Sequence, residues 1–345
     1  MRALPARRRQ RRRRRDTGVH LTPPVVAPGL AQIREARARI QDDVVRTPLV
    51  RFDGDPGDPV IWLKLENLQP IGSFKLRGAM NRIRALSREQ LADGVYTASA
   101  GNMAQGVAYA ARLLGVPATV VVPETAPSAK LCAIERLGAA IVRVPYDEWW
   151  KTMQDGARPG MRGAFVHPFA DGDVMAGNGT IALEVLEELD DVDAILVPWG
   201  GGGLTCGIAA AVRAVRPSVR VIACEVADAA PLSASFAARA PMSIENRRTF
   251  VDGIGGKGVF PQMWPLAQEL VSAALSVDVA AVAECVRLLA QRNRVVAEGA
   301  GAAALAVARG RLAELTPVPR RVVCIVSGGN IDAAILATIL TGSVP

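Results

Sequence analysis

Gly72-Ser73-Phe74-Lys75-Leu76-Arg77-Gly78-Ala79 follows the run Val60-Ile61-Trp62-Leu63-Lys64-Leu65-Glu66, and the reading of the whole chain turns on how the two connect. Alternation in the run predicts a strand, Gln69-Pro70-Ile71-Gly72 breaks it, and the lysine stands at the entrance of a helix predicted over Leu76 to Leu86. A helix N-terminus carries partial positive charge, so stability alone disfavours a lysine there. The same potential lowers a lysine's pKa toward the neutral amine, which is the nucleophilic form.

Outward from this stretch, strands and helices alternate. Val95 to Ala98, Ala118 to Val122 and Ala140 to Val144 read as short strands, separated by helices over Met103 to Leu114 and Pro127 to Leu137. A second series has strands over Ala194 to Pro198, Arg220 to Glu225 and Arg321 to Val326, with helices over Asn178 to Leu189, Leu204 to Val215, Val279 to Gln291 and Gly301 to Ala308. Such alternation predicts parallel sheets in an α/β fold. The expected division is a small α/β domain over 86–166 and a large domain made of 22–85 and 167–345, with a cleft between the two lobes. An amphipathic helix over Pro28 to Asp43 opens the large domain.

Charge excludes less than it first suggests. The net charge is +8, but nine of the 41 basic residues lie in Met1 to Arg15; without residues 1–16 the chain has 32 basic and 32 acidic residues. The segment 1–21 is expected to be a disordered arginine-rich tail, because such a charge block cannot bury surface. Nucleic acid is therefore not the expected partner of the body. Half of the residues are apolar without a run of membrane-spanning length, which predicts a soluble protein. Five cysteines in apolar segments without ligand spacing read as buried small hydrophobes in a reducing, cytoplasmic setting. Two histidines are too few for a His-based zinc site.

Three glycine-rich turns at strand ends carry the chemistry. Gly200-Gly201-Gly202-Gly203, before Leu204, lets backbone N–H groups converge on an anion at a helix start; lacking a following Gly-Lys-Ser/Thr, it fits a single phosphate group. Ser99-Ala100-Gly101-Asn102 offers a hydroxyl, an amide and free N–H groups to a carboxylate, and Ser327-Gly328-Gly329-Asn330 offers a neutral hydroxyl. A lysine, a phosphate cradle, a carboxylate cradle and a neutral hydroxyl together describe the requirements of pyridoxal phosphate.

On these motifs the chain, from about residue 30 to its end, resembles the fold-type II pyridoxal-phosphate enzymes, of the tryptophan synthase β-like architecture, and among them the serine/threonine dehydratases and serine racemases. The resemblance implies that Lys75, beside Phe74, is the Schiff-base lysine and that Gly200 to Gly203 with Leu204 hold the phosphate. It implies that Ser99, Ala100, Gly101, Asn102 and Met103 form the substrate-carboxylate loop, with Asn102 also on the cofactor's 3-hydroxyl. Ser327 would face the pyridine nitrogen, and Glu298 would lie near the cofactor. The chain departs from the pattern at Met103, where the family usually has histidine, and at Ala100, where racemases have a second serine as base. Family metal sites use a glutamate matching Glu225 and a second carboxylate where this chain has Pro231, with Asp228 as the open alternative for Mg or Ca.

The activity implied is elimination of water from an L-β-hydroxy amino acid, L-threonine or L-serine, to give ammonia and a 2-oxo acid. Lys75 would release its imine to the substrate and remove the Cα proton. The alternatives are a dehydratase for 3-hydroxyaspartate or phenylserine and a β-replacement synthase; racemisation is expected to be minor because Ala100 carries no proton. Exposed apolar helix faces and the resemblance suggest a homodimer. Trp149 and Trp150 are expected to be packing residues.

Overall fold

A computed structural model describes residues 25–345; the arginine-rich segment 1–21 and His20 lie outside the described residues. The strands are β1 Leu49–Arg51, β2 Val60–Lys64, β3 Val95–Ala98, β4 Ala118–Pro123, β5 Ala140–Val144, β6 Ala164–Phe165, β7 Ala194–Pro198, β8 Arg220–Val226, β9 Ala273–Val277 and β10 Arg321–Ile325. They form a six-stranded sheet in the order β1-β2-β10-β7-β8-β9 and a four-stranded sheet in the order β5-β4-β3-β6. All neighbours are parallel except β1 and β2. β7 is buried at every position, which is why it reads as a continuous apolar run rather than an alternating one.

Register decides where the chemistry sits. Lys64 at the end of β2 pairs with Ile325 at the end of β10, and Cys324 pairs with Leu196 two residues before the end of β7. The turns leaving β2, β10 and β7, which carry Lys75, Ser327 and the four glycines, therefore open at one edge of the sheet. The carboxyl end of a parallel sheet is where α/β folds place ligands.

Three helices, Lys75–Ala85, Gly172–Glu188 and Gly203–Val215, stack with little space between their backbones. A Cβ at Gly177 would lie 2.4 Å from the carbonyl oxygen of Arg77, and one at Gly207 would lie 2.3 Å from that of Met175. The lysine helix also faces the small sheet: Leu76, Ala79, Met80 and Ile83 share one buried cluster with Val95, Met103, Val107, Val166 and Val174. The small sheet thus shares its core with a helix of the large one.

Beneath that helix lies a buried ion network. Arg77 pairs with Glu66 (2.8 Å) and Glu184 (2.6 Å), Lys64 pairs with Glu184 (2.6 Å) and donates to the Thr47 carbonyl, and the Thr47 hydroxyl donates to Glu66. Two cations and two carboxylates balance, so each desolvated charge has a partner.

Several elements differ from the sequence expectation. The helix expected from Asn178 begins at Gly172, because the Asp171 carboxylate accepts from the N–H groups of Asp173 and Val174 and caps it there. Gly177 and Gly179 inside it are points of close approach, not breaks. The helix Tyr146–Asp155 and strands β6 and β9 lack a clear period in the sequence. Trp149 and Trp150 sit on that helix half-buried, Trp150 against Phe260 at 5.4 Å between ring centres. Among the described residues no helix is long and apolar enough to cross a membrane.

Candidate active site

Lys75 is the first residue of its helix, as the turn before it required. The turn is tied to β10: Phe74 N–H donates to the Ser327 carbonyl (3.0 Å), and Ser73 bridges Gly328. Lys75 Nζ donates to the carbonyl oxygen of Pro168 at 2.7 Å and lies 5.2 Å from the centre of the Phe74 ring. Burial pulls the amine down to about 8, with the nearby Glu298 acting in the opposite sense.

The residue after Pro168 links the lysine to the glycine turn. A Cβ at Gly201 would fall 2.2 Å from the Phe169 ring, and one at Gly203 would fall 2.6 Å from the Phe169 carbonyl oxygen. Gly202 has φ +92° and lies against Trp199, so a side chain there is excluded twice. The backbone N–H groups of Gly200 to Leu204 have no acceptor among the described residues. Five free donors at a helix start are a site for an anion such as a phosphate group. These residues fit a phosphate-bearing cofactor. Leu204 contributes its N–H only, its side chain being buried in the core beneath.

On the other side, the turn after β3 leads into the helix Asn102–Leu113. Ser99 Oγ accepts from Gly101 N–H at 3.2 Å, Ala100 presents only a methyl group, and the first helical N–H groups, of Asn102 and Met103, are free. The Met103 side chain does not face the cleft: it is 2% exposed and belongs to the core shared by the small sheet and the lysine helix, because its place in the first turn directs it inward. Asn102 spans the cleft. Its Nδ2 donates to Glu298 Oε1 (2.8 Å) and its Oδ1 accepts from Asn330 Nδ2 (2.8 Å), which also donates to the Ile71 carbonyl. Burial first and Asp252 second raise Glu298 to about 7, and Asn102 and Lys75 oppose the rise. Ser327 is buried, at 3% exposure, in the turn that leaves β10.

The structure thus brings Lys75, Phe74, Asn102, Glu298, Ser327 and the glycine turn to one cleft. Glu225, expected as a metal ligand, is not among them. Its two oxygens are engaged by the N–H of Leu232 (2.8 Å) and by the N–H and hydroxyl of Ser233 (2.8 and 2.7 Å), at the start of the helix Pro231–Ala238. The carboxylate caps a helix, and among the described residues no cluster of three His, Cys, Asp or Glu side chains could hold a metal ion.

Sequence reasoning missed Pro168, Asn330 and Asp252. Pro168 acts through its carbonyl, which no residue type announces. Asp252 pairs across the cleft with Lys130 of the helix Ser128–Arg136. Asn330 had a signal, its place in the Ser-Gly-Gly-Asn turn, but no partner that could be named from sequence.

Comparison with known proteins agrees with this geometry. The family described as pyridoxal-phosphate dependent enzyme matches residues 40–328. An L-threonine ammonia-lyase of Geobacter sulfurreducens is 43% identical over 314 residues, covering 89% of this chain and 77% of that protein. The catabolic L-threonine dehydratase TdcB of Staphylococcus aureus is 39% identical over 310 residues, 88% of this chain and 89% of that protein. Maize serine racemase superposes with a TM-score of 0.82 at 32% identity, over 92% of this chain and 98% of that structure. The chain belongs to the pyridoxal-phosphate-dependent enzymes.

Proposed function

We propose that this protein is a lyase that eliminates water from an L-β-hydroxy amino acid, L-threonine first and L-serine second. Hydrolysis of the enamine returns the water, so the net products are ammonia and 2-oxobutyrate or pyruvate. The names of the curated relatives support this reading. The observation that carries it is the asymmetry of the cleft: one amine, Lys75 Nζ, is placed to move a proton, and the loop opposite has the methyl of Ala100.

Pyridoxal phosphate, when bound, supplies a carbonyl that condenses with amines and a conjugated ring that withdraws charge from Cα. The free N–H groups of Gly200 to Leu204 would hold its phosphate, the Ser327 hydroxyl its ring nitrogen and Asn102 its 3-oxygen. Ser99 and the free N–H groups of Ala100, Asn102 and Met103 would orient the substrate carboxylate. Lys75, lowered to about 8, is the base for the Cα proton near neutral pH. A hydroxyl at Ser327 carries no charge, so it gives no extra support to a positive ring nitrogen, and loss of the β-hydroxyl is favoured over a long-lived carbanion.

The division into 86–166 and 22–85 with 167–345, a homodimeric assembly and a cytoplasmic location belong to the same reading, supported by the two sheets, by the half-exposed apolar helix Ala333–Leu340 and by the five free cysteines.

The test is 2-oxo acid release from L-threonine, L-serine, L-threo-3-hydroxyaspartate and threo-phenylserine, with chiral analysis of recovered serine. Lys75→Ala should lower release at least about 10³-fold. D-serine formed faster than pyruvate would replace the proposal by racemisation; oxo acid that appears only with an added thiol would replace it by β-replacement.

A further inference from the structure

His167 lies in the turn between β6 and the helix Gly172–Glu188, and the elimination as described has no use for it. It is 7% exposed. Its Nδ1 accepts from the N–H groups of Phe169 (3.2 Å) and Ala170 (2.9 Å). An accepting Nδ1 carries no proton, so the neutral ring holds its proton on Nε2, which has no hydrogen-bond partner among the described residues. Three aromatic rings meet the imidazole edge-on or face-on near a right angle, Phe165 at 5.8 Å, Phe169 at 4.6 Å and Phe260 at 6.5 Å, which fixes its plane.

The peptide between Pro168 and Phe169 is trans, so its N–H and C=O point in opposite directions. Its N–H is turned toward His167 Nδ1. Its carbonyl is thereby aimed the other way, where Lys75 Nζ meets it at 2.7 Å.

We propose that His167 is a positioning residue for the Lys75 amine: by holding the Phe169 N–H it fixes the plane of the Pro168–Phe169 peptide, whose carbonyl keeps the free amine in place. The proposal rests on the reading of Lys75 as the proton-moving residue. It assigns His167 no contact with substrate and no proton transfer. Burial, opposed by the Met153 backbone and helped by the charge of Lys75, keeps the imidazole neutral by lowering its pKa to about 3, so the acceptor at Nδ1 persists across the working pH range. Ala170 N–H strengthens the anchor, and Phe169, on the same turn, packs its ring against Gly201, so the turn couples the amine's station to the anion site.

The first measurement uses the unaltered full chain. A two-bond 1H–15N spectrum of its two histidines should show one with its proton on Nε2 and unprotonated Nδ1 at pH 7; a buried imidazolium or a proton on Nδ1 would overturn the proposal whether or not any variant folds. The second uses His167→Phe, which keeps an aromatic ring without an acceptor, and His167→Asn, whose side-chain oxygen replaces Nδ1. In the cofactor-free protein, competitive acetylation of Lys75 should titrate with a midpoint below that of the parent chain in His167→Phe, because a hydrogen bond that favours the charged amine is lost. In the loaded enzyme kcat should fall about 10- to 100-fold with KM within about threefold, and His167→Asn should recover to within about threefold of the parent. Parent-like acetylation and kcat in a folded His167→Phe, or equal damage in both variants with an unmoved midpoint, would reduce His167 to packing. A reducible imine that persists in Lys75→Ala would instead overturn the assignment of Lys75, and the tautomer result would stand apart from it.

Discussion

The two turns that flank the Lys75 amine are built on opposite principles. Gly200 to Gly203 works by lacking side chains: three of its positions have a neighbouring ring or carbonyl where a Cβ would go, and its N–H groups are left free. The turn His167 to Ala170 works by aiming a backbone carbonyl, and the side chain that aims it never reaches the amine. The first kind of site is written in residue letters. The second exists only once a peptide plane has been fixed.

The ring shared by the two turns is the most sensitive point of this contrast. Phe169→Ala removes a buried ring from against Gly201 and Phe260, and should cost about 3–5 kcal/mol in urea unfolding. A cost below 1 kcal/mol would show that the turns are independent. Next in size is a pH effect. Glu298 is held up to about 7, so the folded state keeps a proton that the unfolded chain releases above about pH 4.5. Stability should fall by about 3 kcal/mol as pH rises from 4.5 through 7, and Glu298→Gln, which still accepts from Asn102, should abolish the fall. A slope unchanged in Glu298→Gln would place the titration elsewhere.

Gly201→Ala should cost about 1–3 kcal/mol and weaken pyridoxal phosphate binding by a comparable factor. Its effect should shrink in a Phe169→Ala background, by about 0.5–3 kcal/mol of coupling in a double-mutant cycle. Strict additivity would separate the two turns. The smallest effect is expected at Pro168→Ala, within about 1 kcal/mol and with kcat within about threefold, since the alanine carbonyl replaces that of proline. A large loss there would mean that the proline ring, rather than the peptide, does the positioning.

The same distinction explains what could be read in advance. The α/β class and the meeting of Lys75, Gly200 to Gly203, Asn102 and Ser327 at strand ends were legible because strand periodicity and glycine at a strand end are properties of residue types. The resemblance puts Met103 on the substrate loop, where its N–H is free, but a helix start turns successive side chains by about 100°, and its own points into the core. Glu225 matches a metal pattern, and the N–H groups of Leu232 and Ser233 that its oxygens accept from are contacts that no residue letter announces. The contacts between Asn102, Glu298 and Asn330 join positions up to 228 residues apart, and local pattern carries no trace of such distances.

The buried network under the lysine helix has a consequence for the history of the chain. Lys64, Glu66, Arg77 and Glu184 come from the end of β2, the short helical turn that follows it and two long helices, and each answers another's charge out of reach of water. Loss of one leaves a charge stranded in the interior, whereas joint replacement by apolar side chains of similar volume does not. These four positions should therefore drift as one heritable character: natural variants carry all four or exchange them together, and an isolated change among them marks a lineage in which the platform of the reactive lysine has already been rebuilt.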